Sequence, residues 1–358
     1  MGSRFWNLPR NEDGTMKRVT IKDIAKIAGV SYATVSRALS DSPEISKETR
    51  ERIKEICARE GYRPNTLARS LISNRTNVLG LIVPDISNAF YSEVAFSIET
   101  YARKRGYNVM LCNSLYDTQQ VDDLFNFLLG HQVDGIILCN SRDHTRDSVA
   151  RYFQAVPTVL FGDCNLDPVP SGCSAVCLDN FSGGYTGMRY LTGLGHTDIC
   201  YLGFRAHSST HEHRLAGARR AADEAGATLR VIENDSDFST TESGYALAQS
   251  FFDAPHSSTA IFAATDSLAL GVLQAADEAG VRIPEDLSLL GFDNCFYADL
   301  PKIKLTTVDQ RKQQLAEASV DLLLQLIDRR GEEPSGFTRR IIRPALVERS
   351  TCIPPREE

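Results

Sequence analysis

The stretch that most restricts the fold is Thr20 to Leu39, TIKDIAKIAGVSYATVSRAL. It reads as two short helices joined by a sharp turn. Thr20 can cap the first helix, with Asp23 at its third position as in a capping box. Ala25 must be small because the second helix crosses over it. Gly29 supplies a positive φ in the turn without steric cost. Val35 packs back between the helices, and Ser31 is the N-cap of the second helix, Tyr32 to Leu39. Tyr32, Ala33, Thr34, Ser36 and Arg37 include the positions free to meet a major groove. Arg37 can fork onto a guanine edge or grip a phosphate. Taken alone, the stretch is also compatible with a plain helical hairpin whose polar face is solvated.

The next residues narrow the choice. Ser46 caps a third helix, Lys47 to Glu60, with Ile53, Ile56 and Cys57 on one face and Gly61 at its end. Tyr62-Arg63-Pro64-Asn65 breaks the chain, and Asn65 can cap the short segment TLARSL. Such a segment is too short to hold as an isolated helix in water. Charge follows the same division. Residues 17–75 carry thirteen Lys/Arg against seven Asp/Glu, a net +6, and residues 1–16 balance. With −7 overall, the remainder carries −13. A basic module beside an acidic body suits a DNA-binding domain attached to a separate sensor.

At 358 residues the chain is long enough for two or three domains. From residue 77 apolar runs alternate with amphipathic helical stretches. Strands are expected at 78–83, 107–112, 134–139, 157–162, 174–179, 198–204, 259–264 and 287–293. Helices are expected at 91–105, 117–129, 181–194, 214–225 and 266–279. Strands apolar on both faces with helical crossovers imply parallel α/β sheets. Their number exceeds one comfortable sheet, so two similar halves are expected, dividing near 161–179. Nine cysteines with no CxxC, several inside strand-like runs, read as small buried hydrophobes in a reducing cytoplasm. Neither a metal site nor a cofactor is expected. His207, His211 and His213 read as cleft-mouth or solvated residues, with metal binding as the sharper alternative. No transmembrane stretch or signal peptide is evident.

VTIKDIAKIAGVSYATVSRAL, followed in order by SKETRERI, GYRPN and ARSL, resembles the headpiece and hinge of the lac-repressor (LacI/GalR) family. The body resembles that family's regulatory core, which has the periplasmic-binding-protein fold. The matching phrases include PDISNAFY, DNFSGGY, RLAGA, FSTTESGY, IFAATDSLALG, GFDN and KLTTVDQ. The resemblance implies an all-α helix-turn-helix headpiece with a hinge helix, then an α/β core of two doubly wound parallel-sheet subdomains. The expected layout is a disordered extension (1–16), headpiece (17–63), hinge (64–76), core (77–353) and a disordered tail (354–358). Within the core, subdomain one takes about 77–162 plus 306–331, and subdomain two about 163–305 plus the C-terminal strands.

The resemblance also assigns roles. Tyr32, Ala33 and Arg37 fall at base-reading positions. Thr20, Ser31, Thr34, Ser36 and Asn65 fall where the family touches phosphate or sugar. Ala68 and Leu71 match the minor-groove residues of the hinge, the leucine acting as wedge. Ligands of such sheets bind beyond the carboxyl ends of the strands. Effector contacts are therefore expected at Asp85, Asn88, Phe90, Asp163, Arg214, Phe238, Asp266 and Asp293. Acids and an arginine there can pair with sugar hydroxyls, and Phe90 and Phe238 can stack on a ring. Each acid also has a plainer reading: Asp266 as a helix cap, Asp293 as a turn closer, Asp163 as a loop residue.

The resulting reading is a cytoplasmic homodimeric regulator, a repressor, on palindromic double-stranded operator DNA, controlled by a sugar-like small molecule. Control by a protein co-regulator is one alternative. A transport-type sugar-binding protein is another, but it leaves the headpiece unexplained and would need a signal peptide. An enzyme is the third. FSGGYTG lacks the spacing of a phosphate loop, and no nucleophile-base set is recognisable.

Overall fold

A computed structural model describes residues 19–62, 75–140, 150–162, 173–204, 209–234, 239–329 and 338–356. The extension 1–16, the hinge residues Asn65, Ala68 and Leu71, the cleft candidates Asp163 and Phe238, and His207 lie outside the described residues. The chain forms two compact units, residues 1–76 and 77–358.

In the first unit, α1 (Ile21–Ala28), α2 (Tyr32–Leu39) and α3 (Lys47–Arg59) close around Ile24, Ala25, Ala28, Val35, Ala38, Ile53, Ile56 and Cys57. The sequence makes each boundary. Thr20 and Asp23 complete a reciprocal capping box, and Gly29 ends α1 at φ 67°. Ser31 accepts from Thr34 N at 3.1 Å, and Ser46 caps α3 through Thr49 N. Arg52 donates to the Ala28 carbonyl at 2.7 Å, tying α3 to the end of α1.

The second unit holds two six-stranded sheets. The first consists of β1 (Val78–Val83), β2 (Asn108–Asn113), β3 (Gly135–Asn140), β4 (Thr158–Gly162), β5 (Cys173–Leu178) and β11 (Arg339–Ile342), in the order β11-β5-β4-β3-β1-β2. The second consists of β6 (Asp198–Phe204), β7 (Thr228–Asn234), β8 (Ala260–Ala263), β9 (Ser288–Asp293), β10 (Thr306–Asp309) and β12 (Ala345–Val347), in the order β12-β10-β9-β8-β6-β7. Among the described residues only the β10–β12 pairing is antiparallel. The two orders are the same, so the halves repeat one plan. Helices α4 (Ala89–Lys104), α5 (Thr118–Gly130) and α10 (Lys312–Asp328) cover the first sheet. The second is covered by α6 (Asn180–Gly193), α7 (Ser209–Ala225), α8 (Thr241–Phe252) and α9 (Asp266–Ala279).

Four expectations need correction. β5 belongs to the first sheet, so the chain crosses after residue 178 and not at 163. β10 pairs with β9 in the second sheet, so the last crossing falls at 309–312 and not before 306. The C-terminal strands are shared: β11 extends the first sheet and β12 the second. Strand order decides these memberships, and no local pattern records it. Finally, Pro354–Arg356 are placed, not loose: the Ile353 carbonyl meets Ser288 Oγ and His196, and Arg356 lies 3.3 Å from Asp286. Six cysteines are free and buried, as expected, but Cys177 is disulfide-bonded.

Candidate functional site

The headpiece presents its polar face on α2. Tyr32 is 64% exposed, and Ser31, Ser36 and Arg37 are exposed, while Ala33 and Thr34 are half-buried. Val35 and Ala38 turn inward, so one helix buries one face and leaves the other for a ligand. Arg37 lies 3.4 Å from Glu44, a solvent-exposed pair of small worth that a phosphate or base can displace. Thr20 is occupied by its own cap, yet its residue stays exposed.

The core's polar centre lies at the carboxyl ends of β8 and β9. Arg214, on α7, is 5% exposed. Its Nε donates to Asn180 Oδ1 at 2.9 Å and its Nη1 to the Ala264 carbonyl at 2.8 Å. Nη1 also stands 3.7 Å from Asp293 Oδ1, and the guanidinium lies 3.8 Å from the Phe292 ring centroid. Asp293 further accepts from Gln310 Nε2 and from the Asp266 backbone N–H. Asp266 is fully buried, accepting from Cys295 N at 2.8 Å and Thr307 Oγ1 at 2.6 Å. It therefore sits behind the cleft, as a brace between α9, the loop after β9 and strand β10. Burial raises the carboxyls of both Asp266 and Asp293, and the negative neighbour adds to the shift of Asp266. A buried acid pair beside one arginine is a compact, fully hydrogen-bonded charge cluster.

Across the cleft, Asp85 Oδ1 accepts from Ser87 N and Oγ, and Asn88 caps α4 through Phe90 N at 2.9 Å. Phe90 is half-buried and meets Tyr91 edge-on at 5.2 Å. Asp85 and Asn88 line a cavity of about 270 Å³ whose opposite wall includes Ser239, Thr240, Glu242, Ser267 and Tyr297. Asp85, Asn88 and Phe90 are thus near one mouth, while Arg214, Asp266 and Asp293 form a deeper cluster.

Several residues here escaped sequence reasoning. Asn180, Gln310, Glu242 and Tyr91 lie inside the phrases DNFSGGY, KLTTVDQ, FSTTESGY and PDISNAFY, and Lys312 and Glu93 lie two residues past one, so their place beside these phrases was the available signal. His211 departs from expectation: it is 3% exposed, bonded to Glu233 Oε1 at 2.8 Å and packed against Phe204. α7 begins at Ser209, five residues before Arg214, and this turns His211 inward. Burial lowers its pKa despite Glu233. No group of His, Cys, Asp and Glu suited to a metal ion occurs among the described residues.

Residues 20–65 match the model for bacterial regulatory proteins of the lacI family, and residues 188–352 match a periplasmic binding protein-like domain. Catabolite control protein A of Priestia megaterium is 35% identical over 317 residues, covering 87% of this chain and 93% of that protein. The HTH-type transcriptional repressor PurR of Glaesserella parasuis serovar 5 is 32% identical over 339 residues, covering 93% and 98%. The lac repressor dimer bound to operator and an anti-inducer shares 26% identity with a TM-score of 0.82, covering 94% of this chain and 100% of that one. Two parallel α/β subdomains behind a helix-turn-helix define a class of DNA-binding transcriptional regulators, not enzymes. The chain belongs to the lacI family of bacterial regulatory proteins.

Proposed function

We propose that the chain is a homodimeric repressor whose hold on a palindromic operator is set by a neutral, polyhydroxylated ligand of monosaccharide size in the core cleft. The cavity between the subdomains carries this reading. Its described lining is mainly hydroxyls, an amide and two carboxylates (Asp85, Glu242), with Ala89 and Leu270 beside them. Acids and hydroxyls suit sugar hydroxyls. At about 270 Å³ it lies near the lower end of ligand sites, roughly 300–1,000 Å³. Two relatives of known structure hold sugars: a regulator from Enterococcus faecium with ribose, and CelR with cellobiose. Asp85, Asn88, Phe90, Arg214, Asp293 and, outside the described residues, Asp163 and Phe238 are the proposed contacts. Asp266 acts by bracing them.

Pairing with a second copy is supported by Phe96 (72% exposed), Phe296 (67%), Leu111, Leu115 and Leu300. Glu93, one turn before Phe96, accepts from Phe296 N at 2.8 Å, so the two exposed phenylalanines lie on neighbouring segments of different subdomains. Exposed apolar groups that lie together, as Phe96 and Phe296 do, suit an interface. A two-fold dimer presents two headpieces to two half-sites. Thr20, Ser31, Tyr32, Ala33, Thr34, Ser36 and Arg37 then meet the DNA, with Asn65, Ala68 and Leu71 in the hinge. No described helix is long and apolar enough to cross a membrane. Operator binding calls for the cytoplasm.

The test is thermal melting of the full chain with neutral sugars, nucleosides and sugar phosphates, followed by operator release with each ligand that shifts it. A neutral sugar should raise the melting point and change operator affinity. A shift with sugar phosphates or nucleosides alone would overturn the sugar assignment, and no shift with any would favour a protein co-regulator. Sedimentation showing only monomer at micromolar concentration would overturn the dimer.

A further inference from the structure

We infer that Lys312 and Glu93 form a joint that holds the strained Asp293–Phe296 turn of the second subdomain against the first. Two consecutive non-glycine residues, Asp293 (φ 126°) and Asn294 (φ 51°), occupy the positive-φ region. Such residues are strained and persist only where their surroundings impose the conformation. Part of what imposes it comes from the first subdomain, while Thr307, Arg349 and Asp266 hold Asn294 and Cys295 from the second. Lys312 is the first residue of α10, just past the last crossing, and its side chain is nearly buried. Its Nζ donates to the Asp293 carbonyl at 2.6 Å and the Asn294 carbonyl at 2.6 Å, and stands 3.4 Å from Glu93 Oε2. An ammonium has three protons, and three acceptors surround this one. Glu93, on α4, uses its other oxygen to accept from Phe296 N at 2.8 Å.

Two side chains rooted on the first sheet's helices thus bind main-chain atoms of three of the four residues 293–296. The Asp293 carboxylate meanwhile faces Arg214, Gln310 and the start of α9. The carbonyl and the carboxylate of one strained residue are therefore held by different subdomains. Rotating one subdomain on the other pulls on that residue, and a ligand that reorients Asp293 pulls on the joint. This regulatory meaning rests on the cleft being the effector site; the joint itself does not.

Lys312→Met removes all three donors at similar volume. Glu93→Gln keeps an acceptor for Phe296, while Glu93→Leu does not. Full-length protein would carry spin labels on ketone-bearing residues at Asp123 and Asp277, exposed positions on α5 and α9. Distances would be read by pulsed dipolar spectroscopy, and exchange of the Phe296 amide in parallel. The wild type should give one narrow distance distribution and a protected amide. Lys312→Met and Glu93→Leu should at least double the width and speed exchange tenfold or more, with Glu93→Gln close to wild type. Wild-type width and protection in both Lys312→Met and Glu93→Leu would overturn the joint. Equal broadening in Glu93→Gln and Glu93→Leu would overturn the assigned role of the Phe296 contact. A further arm adds ribose. If it shifts neither melting nor distance in the wild type, ribose is rejected as effector, while the unliganded widths still decide the joint.

Discussion

Gly184 offers the most direct test of how the cleft arginine is placed. A methyl group built on it would lie 1.9 Å from the Arg214 carbonyl oxygen and 3.0 Å from the Arg214 Cα. Reaching ordinary contact at 3.4 Å requires α6 and α7 to part by about 1.5 Å. The obstacle is helix backbone, so no side chain can swing aside. Overpacking of this kind costs about 1–3 kcal/mol, and a rigid obstacle places it at the upper end. Replacing a mid-helix glycine by alanine returns about 1 kcal/mol of helix propensity. Gly184→Ala should therefore destabilise the core by about 2 kcal/mol, lowering its melting point by about 4 °C. Gly193, at the end of the same helix, has nothing within 4 Å of the built Cβ and is the control. Gly193→Ala should leave the melting point unchanged or raise it slightly. Calorimetry of the full chain separates the core transition from that of the headpiece. If Gly184→Ala melts at or above Gly193→Ala, the close helix approach does not position Arg214 as argued.

Two further outcomes follow from the charge cluster. Arg214→Ala strips Asp293 of the larger of its two cationic neighbours and should destabilise the core by about 3 kcal/mol, because a buried carboxylate loses most of its compensation; a loss below about 1 kcal/mol in urea titration would show that Lys312, Gln310 and the α9 N-terminus suffice. Asp266 is raised by burial and by Asp293 from its ordinary 3.8 to about 7. A raised acid stabilises the fold fully below its unfolded value, and that contribution is lost as pH rises through the folded one. Asp266→Asn should thus gain on the wild type between pH 5 and pH 8, and parallel stability–pH curves over that range would reject the assigned titration.

The headpiece was legible because its determinants are local. Thr20 with Asp23, Ser31 with Thr34 and Ser46 with Thr49 each act over three residues, and Gly29 acts alone. A short helix with such caps announces itself in the order of its letters. The α/β pattern was equally legible where strands are buried on both faces. β7 was not, since TLRVIEN is a half-exposed edge strand with Arg230 and Glu233 interrupting its apolar residues. The inner cleft was legible only as a set of endings. Arg214, Asp266 and Asp293 stand where loops follow strands or helices begin. Their partners do not: Glu93 meets Phe296 from 203 residues away, and Arg214 meets Ala264 from 50. Contacts of that span depend on which sheet each strand joins, and this was the part of the topology the sequence pattern left open.

The glycine-rich run FSGGYTG shows how a motif can be dismissed for one role and still shape the site. Its spacing fits no phosphate loop, and in the fold it lies within α6, where Gly183 and Gly187 admit the Phe292 and Phe262 rings and Gly184 admits the backbone of α7. Gly217 answers from α7, where a methyl would strike the Phe181 carbonyl at 2.0 Å. The other helix pair of the second subdomain uses the same device. A methyl on Gly244 would meet Leu268 O at 2.2 Å, and one on Gly271 would meet Thr241 O at 2.2 Å. Glycine at these places costs helix propensity. The return is backbone contact between helices, which fixes their separation more tightly than any side chain that could change rotamer. α7 carries Arg214 in its second turn and α9 begins at Asp266, so the two glycine contacts set the two helices whose N-terminal halves build the cleft. The polar residues of the site can be listed from the sequence by their chemistry, but their spacing is decided by residues with no side chain at all.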